Sequence, residues 1–308
     1  MPNLRPSHQY IARMIRLESR AIAGINTARA EFRRAALDLL YSGDLTYAKA
    51  RQITSLIDQL AARVRTLQSG LLQPMDELVL WYMNQQLGLL RAVGQKRLPN
   101  IQQLNLGTYS KRAEMYELLQ TTPAWIVSMK KNMELNLTKS IVSKTDTSRI
   151  IDRLFSINIE DGRASVARLA GAAAETETKS TLWTSSILSM FTLYEETSQA
   201  TGTVYMKQAI ATIDDKTTDC CLQVHGQIQP LDKPFQLTGE PRYADEVDNP
   251  PFHWNCRTAE ALYTEAMEDK GITSADMRDA ASAERRARQE TGKRVPIWPS
   301  HATSRRGG

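Results

Sequence analysis

Cysteine is scarce in this chain: three residues among 308, Cys220, Cys221 and Cys256. The stretch from Met1 to Arg20 carries arginines but no apolar h-region, so no secretory signal is expected there. An odd cysteine count without such a signal argues against a disulfide scaffold. Aromatic residues are only 6%, while Ala, Leu, Gln, Arg and Glu recur, which favours helix over a β-sandwich. Long apolar runs are missing too. The longest uncharged stretch near the middle, Ser180 to Tyr194, has 15 residues, seven of them Ser or Thr. It is too short and too polar to span a bilayer. With 42% hydrophobic and 24% charged residues, collagen-like, mucin-like and wholly disordered chains are excluded. The length suits one large domain or two or three modest ones.

Charge is unevenly placed. The net value is +5, but residues 1–70 hold +6 and residues 283–308 hold +5, leaving an acidic middle. Basic ends often meet phosphates; the blander reading is solvated helix faces and a disordered tail.

The first 200 residues predict a succession of helices. Ile11, Met14, Ile15, Ile22, Ile25, Phe32, Leu39 and Leu40 recur at helical spacing between Ser7 and Tyr41. Asp44 is expected to cap a second helix ending at Ser69-Gly70, and Pro74 to open a third. Shorter helices follow over 110–120, 123–143 and 147–156. The pair Trp81-Tyr82 and Trp125 read as core or interface anchors. Glu160-Asp161-Gly162 marks a turn before a long helix from about Arg163 to Gln199, closed by Gly202. Thr203–Met206 and Ala209–Ile213 then look like strand. Arg257 to Lys270 looks helical again, and the Arg-rich end, with Pro296 and Pro299, looks like a tail. The expected fold class is mainly α: a helical N-terminal part, 1–157, then a small α+β module, 158–270, and a basic tail, 271–308.

All three cysteines and two of the four histidines fall within 37 residues. Cys221 and His225 form C-x3-H; after 27 residues, His253 and Cys256 form H-x2-C. Two thiolates and two imidazoles suit tetrahedral Zn²⁺, and four protein ligands would make the site structural. C-x3-H places both side chains on one face of a helical turn. The competing reading makes Cys221 and Cys256 small buried hydrophobes, with the histidines bonded to loop carbonyls. Cys220 reads as a bystander, and His8 and His301 as solvated.

This segment resembles the Mu F-like family of tailed-bacteriophage minor head proteins. That family's C-terminal module carries a strand, D-x-x-T, C-x3-H-G, a loop and P-x-H-x-x-C-R, positions filled here by Asp214, Thr217, Cys221, His225, Gly226, Pro251, His253, Cys256 and Arg257. The family's upstream A-x-T-E-T-like stretch matches Ala174 to Thr178. The likeness covers roughly 160–263, about a third of the chain. Thr218 and Thr258 stand where many members have Cys or Arg, and Cys. The resemblance implies a virion component present in few copies, in the head interior or at the portal vertex, assembled in the host cytoplasm. Its implied partners are the portal protein and the inner face of the major capsid protein, with roles in head assembly, DNA packaging or ejection. No turnover and no membrane contact are expected.

Two other classes compete. A metal-dependent hydrolase or nuclease would need an open metal position and a general base such as Asp214 or Glu260. A nucleic-acid-binding adaptor would use Arg285, Arg286, Arg288, Lys293, Arg294, Arg305 and Arg306; with no base-reading motif beside them, they would bind backbone without sequence preference.

Overall fold

In the computed structural model, residues 4–100, 117, 121–156, 164–214, 216–237, 246–253, 256–270 and 274–292 are described. Helices dominate: α1 Leu4–Tyr41, α2 Tyr47–Ser69, α3 Leu72–Ala92, α4 Ala124–Val142, α5 Thr147–Phe155, α6 Val166–Thr201, α7 Asp219–Val224 and α8 Ser274–Thr291. Five short strands lie near the C-terminal end: β1 Met206–Ala211, β2 Ile228–Pro230, β3 Phe235–Gln236, β4 Glu246–Val247 and β5 Thr258–Tyr263. The mainly α architecture with a small α+β C-terminal module is therefore present. The expected helix over 110–120, apart from residue 117, the turn at 160–162 and the expectations for residues 293–308 lie outside the described residues.

The chain forms two compact units, and they do not follow the linear 1–157, 158–270, 271–308 division. One joins Glu18–Leu72 to Tyr116–Thr178; the other joins Met1–Leu17, Gln73–Met115 and Lys179–Gly308. Helices α1 and α6 each supply residues to both, because 38 and 36 residues rising about 1.5 Å each are longer than one small core needs.

The first unit is helical. Ile25, Phe32, Ile53, Ile57, Val64, Trp125, Met129, Met133 and Leu137 form its core, with Phe32 and Phe155 in ring contact. Helix α2 is capped by Thr46, whose hydroxyl accepts from Lys49 N at 3.2 Å, and not by Asp44 as expected. Pro123 precedes α4, and the orphan N–H groups of that helix are met from α6. The Glu177 carboxylate accepts from Ala124 N at 2.8 Å and Trp125 N at 3.1 Å. The stretch that matched A-x-T-E-T thus caps a helix.

The second unit is built on a three-stranded antiparallel sheet in the order β2-β1-β5. The expected helix over 257–270 is instead strand β5 followed by a 3₁₀ turn, Glu265–Lys270. Thr-Ala-Glu-Ala-Leu-Tyr has ordinary helix formers, but pairing all six residues with β1 and burying all six overrides that preference. Ala209 and Ala211 on one face pack on Cys220, Cys221, Val224, Phe235, Phe252 and Cys256. On the other face Ile210 and Ala261 meet Met277 of α8. Residues 283–291, expected as flexible tail, complete that helix.

Candidate metal centre

The connection from β1 to α7 is tied by its own side chains. Asp214 Oδ1 accepts from Lys216 N at 2.9 Å, and the Thr217 hydroxyl donates to Thr212 O at 2.6 Å. Arg257, just before β5, donates to Asp214 Oδ1 at 2.5 Å. This bond joins D-x-x-T to the C-terminal half of the motif, 43 residues away. Burial works to raise the Asp214 carboxyl, but the Arg257 guanidinium and the two local donors outweigh it and hold it below the usual range. Arg288 closes the corner from α8: its guanidinium donates to Thr217 O at 2.5 Å and Asp214 O at 2.6 Å. It is 5% exposed, so its assignment to a DNA-binding tail is corrected. Arg285 is half-buried and Arg286 exposed on the same helix, while Lys293, Arg294, Arg305 and Arg306 lie outside the described residues.

Thr218 caps α7 and organises the cluster. Its hydroxyl lies 2.8 Å from His253 Nε2 and 3.1 Å from Cys220 Sγ, and the cap faces Cys221 N. Cys221 Sγ is 2.9 Å from His253 Nε2 and 3.7 Å from Cys256 Sγ. All three thiols and His253 are 2% exposed or less. Cys220, Cys221 and His253 bring their ligand atoms within 4.8 Å of one another, a buried group able to hold a metal ion. Cys220 is therefore no bystander. Thr218 turns the chain just before α7, so consecutive cysteines both reach the cluster. Burial raises the Cys256 thiol, with Cys221 adding to the effect. For His253 burial pulls downward, but Cys221 and Cys256 outweigh it and raise the imidazole above its usual range.

His225 takes another course. Helix α7 stops at Val224, and His225 has φ −57°, ψ 121°, so C-x3-H no longer shares one helical face. Its Nδ1 accepts from Ala211 N at 3.0 Å, which spends that nitrogen on β1. Burial, and then neighbouring His8, lower its pKa to about 4. His8 is exposed, as expected, and also hydrogen-bonds the Ala211 backbone; its partial burial lowers its pKa. Gly226 follows with φ +79°; a Cβ there would stand 2.7 Å from Met277 Cβ and 2.9 Å from Ser274 O. The motif glycine is thus needed for both its conformation and its close approach to α8.

Lys207 was not singled out by the sequence. It is 1% exposed and donates to Asp248 O at 2.5 Å and Asn249 Oδ1 at 2.9 Å, holding the loop that leads to His253. Its Nζ also lies 5.1 Å from the Phe235 ring centre. Glu260, opposite Ala209 in the ladder, is 1% exposed with both carboxylate oxygens unbonded, and burial raises its pKa to about 7. A charged residue in an otherwise ordinary strand is the only signal either could have offered.

No protein-family model matches the chain, and no curated protein or solved structure is similar to it. Among the described residues no helix is long and apolar enough to cross a membrane.

Proposed function

We propose that this protein is a structural minor head component of a tailed phage, without turnover, whose C-terminal module is locked by a zinc ion. The observation that carries the reading is that the motif is spent internally. Asp214 is bonded to Arg257, Thr217 to the β1 end, Thr218 to His253, and the thiol cluster is shut away from solvent. A hydrolase would need an accessible base. Asp214 is occupied by a guanidinium, and Glu260 is enclosed by the sheet and its packing.

The donor set fits zinc. Thiolates and an imidazole are its preferred structural ligands. Two thiolates each about 2.3 Å from one tetrahedral ion stand about 3.8 Å apart; Cys221 and Cys256 are 3.7 Å apart. In this reading Cys220, Cys221 and His253 hold the ion, with Cys256, 3.7 Å from Cys221, as the fourth donor. His225 is left out because its Nδ1 serves Ala211. The ion would supply no chemistry beyond cross-linking α7 to the 253–256 loop. In this reading the helical unit docks on the portal protein or the inner capsid shell, through helix-to-helix contacts. Packaged DNA is met by Arg285, Arg286 and the basic residues after Gly292.

Elemental analysis of the purified full chain tests the lock. About one zinc per chain is expected, lost in Cys221→Ser and Cys256→Ser but retained in His225→Gln. Absence of zinc, or its loss in His225→Gln alone, defeats this ligand set. Co-expression with the portal protein encoded by the same genome tests the role: co-sedimentation is expected, and its absence counts against a head protein. Metal-dependent cleavage of DNA or peptide by the purified chain would refute the lack of turnover.

A further inference from the structure

Among the described residues, six basic side chains of the second unit have no acidic partner. Residues 1–17 contain Arg5, Arg13 and Arg16 and no Asp or Glu; residues 78–100 contain Arg91, Lys96 and Arg97 and again no Asp or Glu. These two segments pack together and run antiparallel. Ser7 bonds Tyr82 at 2.7 Å, Tyr10 stacks on Tyr82 with ring centres 4.5 Å apart, and the Arg13 guanidinium lies 3.8 Å from the Trp81 ring centre. Arg91 stands in the last turn of α3, and Lys96 and Arg97 follow it in the turn whose Gln95 bonds Thr203 at 2.8 Å. All six are exposed, and among the described residues none is in an ion pair.

At 100° per residue Arg5, Arg13 and Arg16 fall within about 80° of arc on α1. That is one face, not a scatter. Surface charges of a folded protein are commonly interspersed in sign; here residues 1–17 and 78–100 carry one sign only, the nearest acids on the two helices being Glu18, Asp76 and Glu77. Trp81 is half-exposed and held flat under a guanidinium, so an aromatic face lies within the basic patch.

We infer that the α1–α3 face of the second unit is a binding surface for a phosphate polyanion, read through its backbone and without sequence preference. Guanidinium groups pair with phosphate oxygens in a fork geometry that an ammonium lacks, and five of the six groups are Arg. The inference is independent of the zinc site and of the head-protein reading, since it rests on residues in neither. It also differs from the basic C-terminal residues: Arg288 is turned inward, whereas these six face solvent.

The test uses the full chain with two duplex DNAs of unrelated sequence. If these six groups engage phosphates, they contribute about −5 to the slope of log K against log salt, in addition to the share of the C-terminal basic residues. The triple variant Arg5→Gln, Arg13→Gln, Arg16→Gln should shallow that slope by about 3, and Arg16→Gln alone by about 1. Far-ultraviolet circular dichroism confirms that each variant is folded; all three positions are exposed. Trp81→Phe should remove part of the tryptophan fluorescence change on binding. Unchanged affinity and slope in the triple variant overturn the assignment. Loss of all binding on truncation after Gly292 overturns it as well, placing DNA contact in the tail. Equal binding of poly-glutamate would overturn the phosphate class and leave only a generic cationic patch.

Discussion

In the helical unit the buried side chains are mostly hydrocarbon, thioether and ring: Ile25, Phe32, Ile53, Ile57, Trp125, Met129, Met133 and Leu137. In the β-centred unit the buried set includes Lys207, Gln208, Thr218, His225, His253, Glu260 and Arg288. Apolar burial is non-directional and scales with area, so many residues of similar volume can replace one another. A buried polar group needs a partner atom at a particular place, so its identity is dictated. The contrast explains why the Cys/His motif residues all fall in the β-centred unit, while the helical unit showed a period and the single A-x-T-E-T match at Ala174–Thr178.

The sharpest way to break the second core is at its tightest approach. Gly226→Val adds a side chain at φ +79° against Met277 and Ser274, and is expected to cost about 4 kcal/mol from strain and overpacking together. Hydrogen exchange should lose the protection of β1 and β5 while the α2 amides stay protected. If α2 amides open equally, the two cores are not separable.

The helical core should respond to volume alone. Met133 is fully buried, and Met133→Ala should cost about 3 kcal/mol through lost contacts and a cavity. Denaturant unfolding at pH 5 and pH 8 should give the same loss, because the cluster that Met133 belongs to is apolar. A cost that changes with pH would blur the distinction between the cores.

The β-centred core should respond to pH, with two groups of opposite sign. Glu260 is raised from 4.5 to about 7, so its favourable contribution is present below about pH 4.5 and lost as pH rises through 7. His225 is lowered from 6.5 to about 4, so its contribution is present above about pH 6.5 and lost as pH falls through 4. Between those limits the two slopes oppose each other. Glu260→Gln should stabilise the chain at pH 8 by about 2 kcal/mol and by little at pH 4.5. It should also expose the acid-side loss due to His225. A variant with the same gain at both pH values would show that Glu260 is not held protonated.

Legibility in the sequence followed the same contrast. Helices α1 to α6 were readable because each repeats an apolar stripe over several turns, and their ends were marked by Gly, Pro or a capping residue; Asp44 failed as a cap only because Thr46, two residues on, offered its hydroxyl at the right turn. Strand β5 was misread since it is buried on both faces, which erases the alternation that marks a strand. Of the expected ligands, Cys221, His253 and Cys256 were brought together, and Cys220, not His225, lies with Cys221 and His253 in the buried group that could hold a metal ion. Spacing alone could not reveal that exchange, because it depends on α7 ending one residue before His225. Arg288 looked like tail charge because nothing in a run of arginines marks the one that finds two backbone carbonyls.

That anchoring has a mechanical side. Arg288 sits in the last turn of α8, four residues before Gly292, and grips the β1–α7 corner 71 and 74 residues upstream. Tension applied to the chain beyond Gly292 would reach the sheet through this guanidinium first. Its two bonds end on neighbouring carbonyls of one turn and would share the load. The corner they hold is the one that sets Thr218 against His253, so a pull on the C-terminal end would be felt at the thiol cluster before any strand is unzipped.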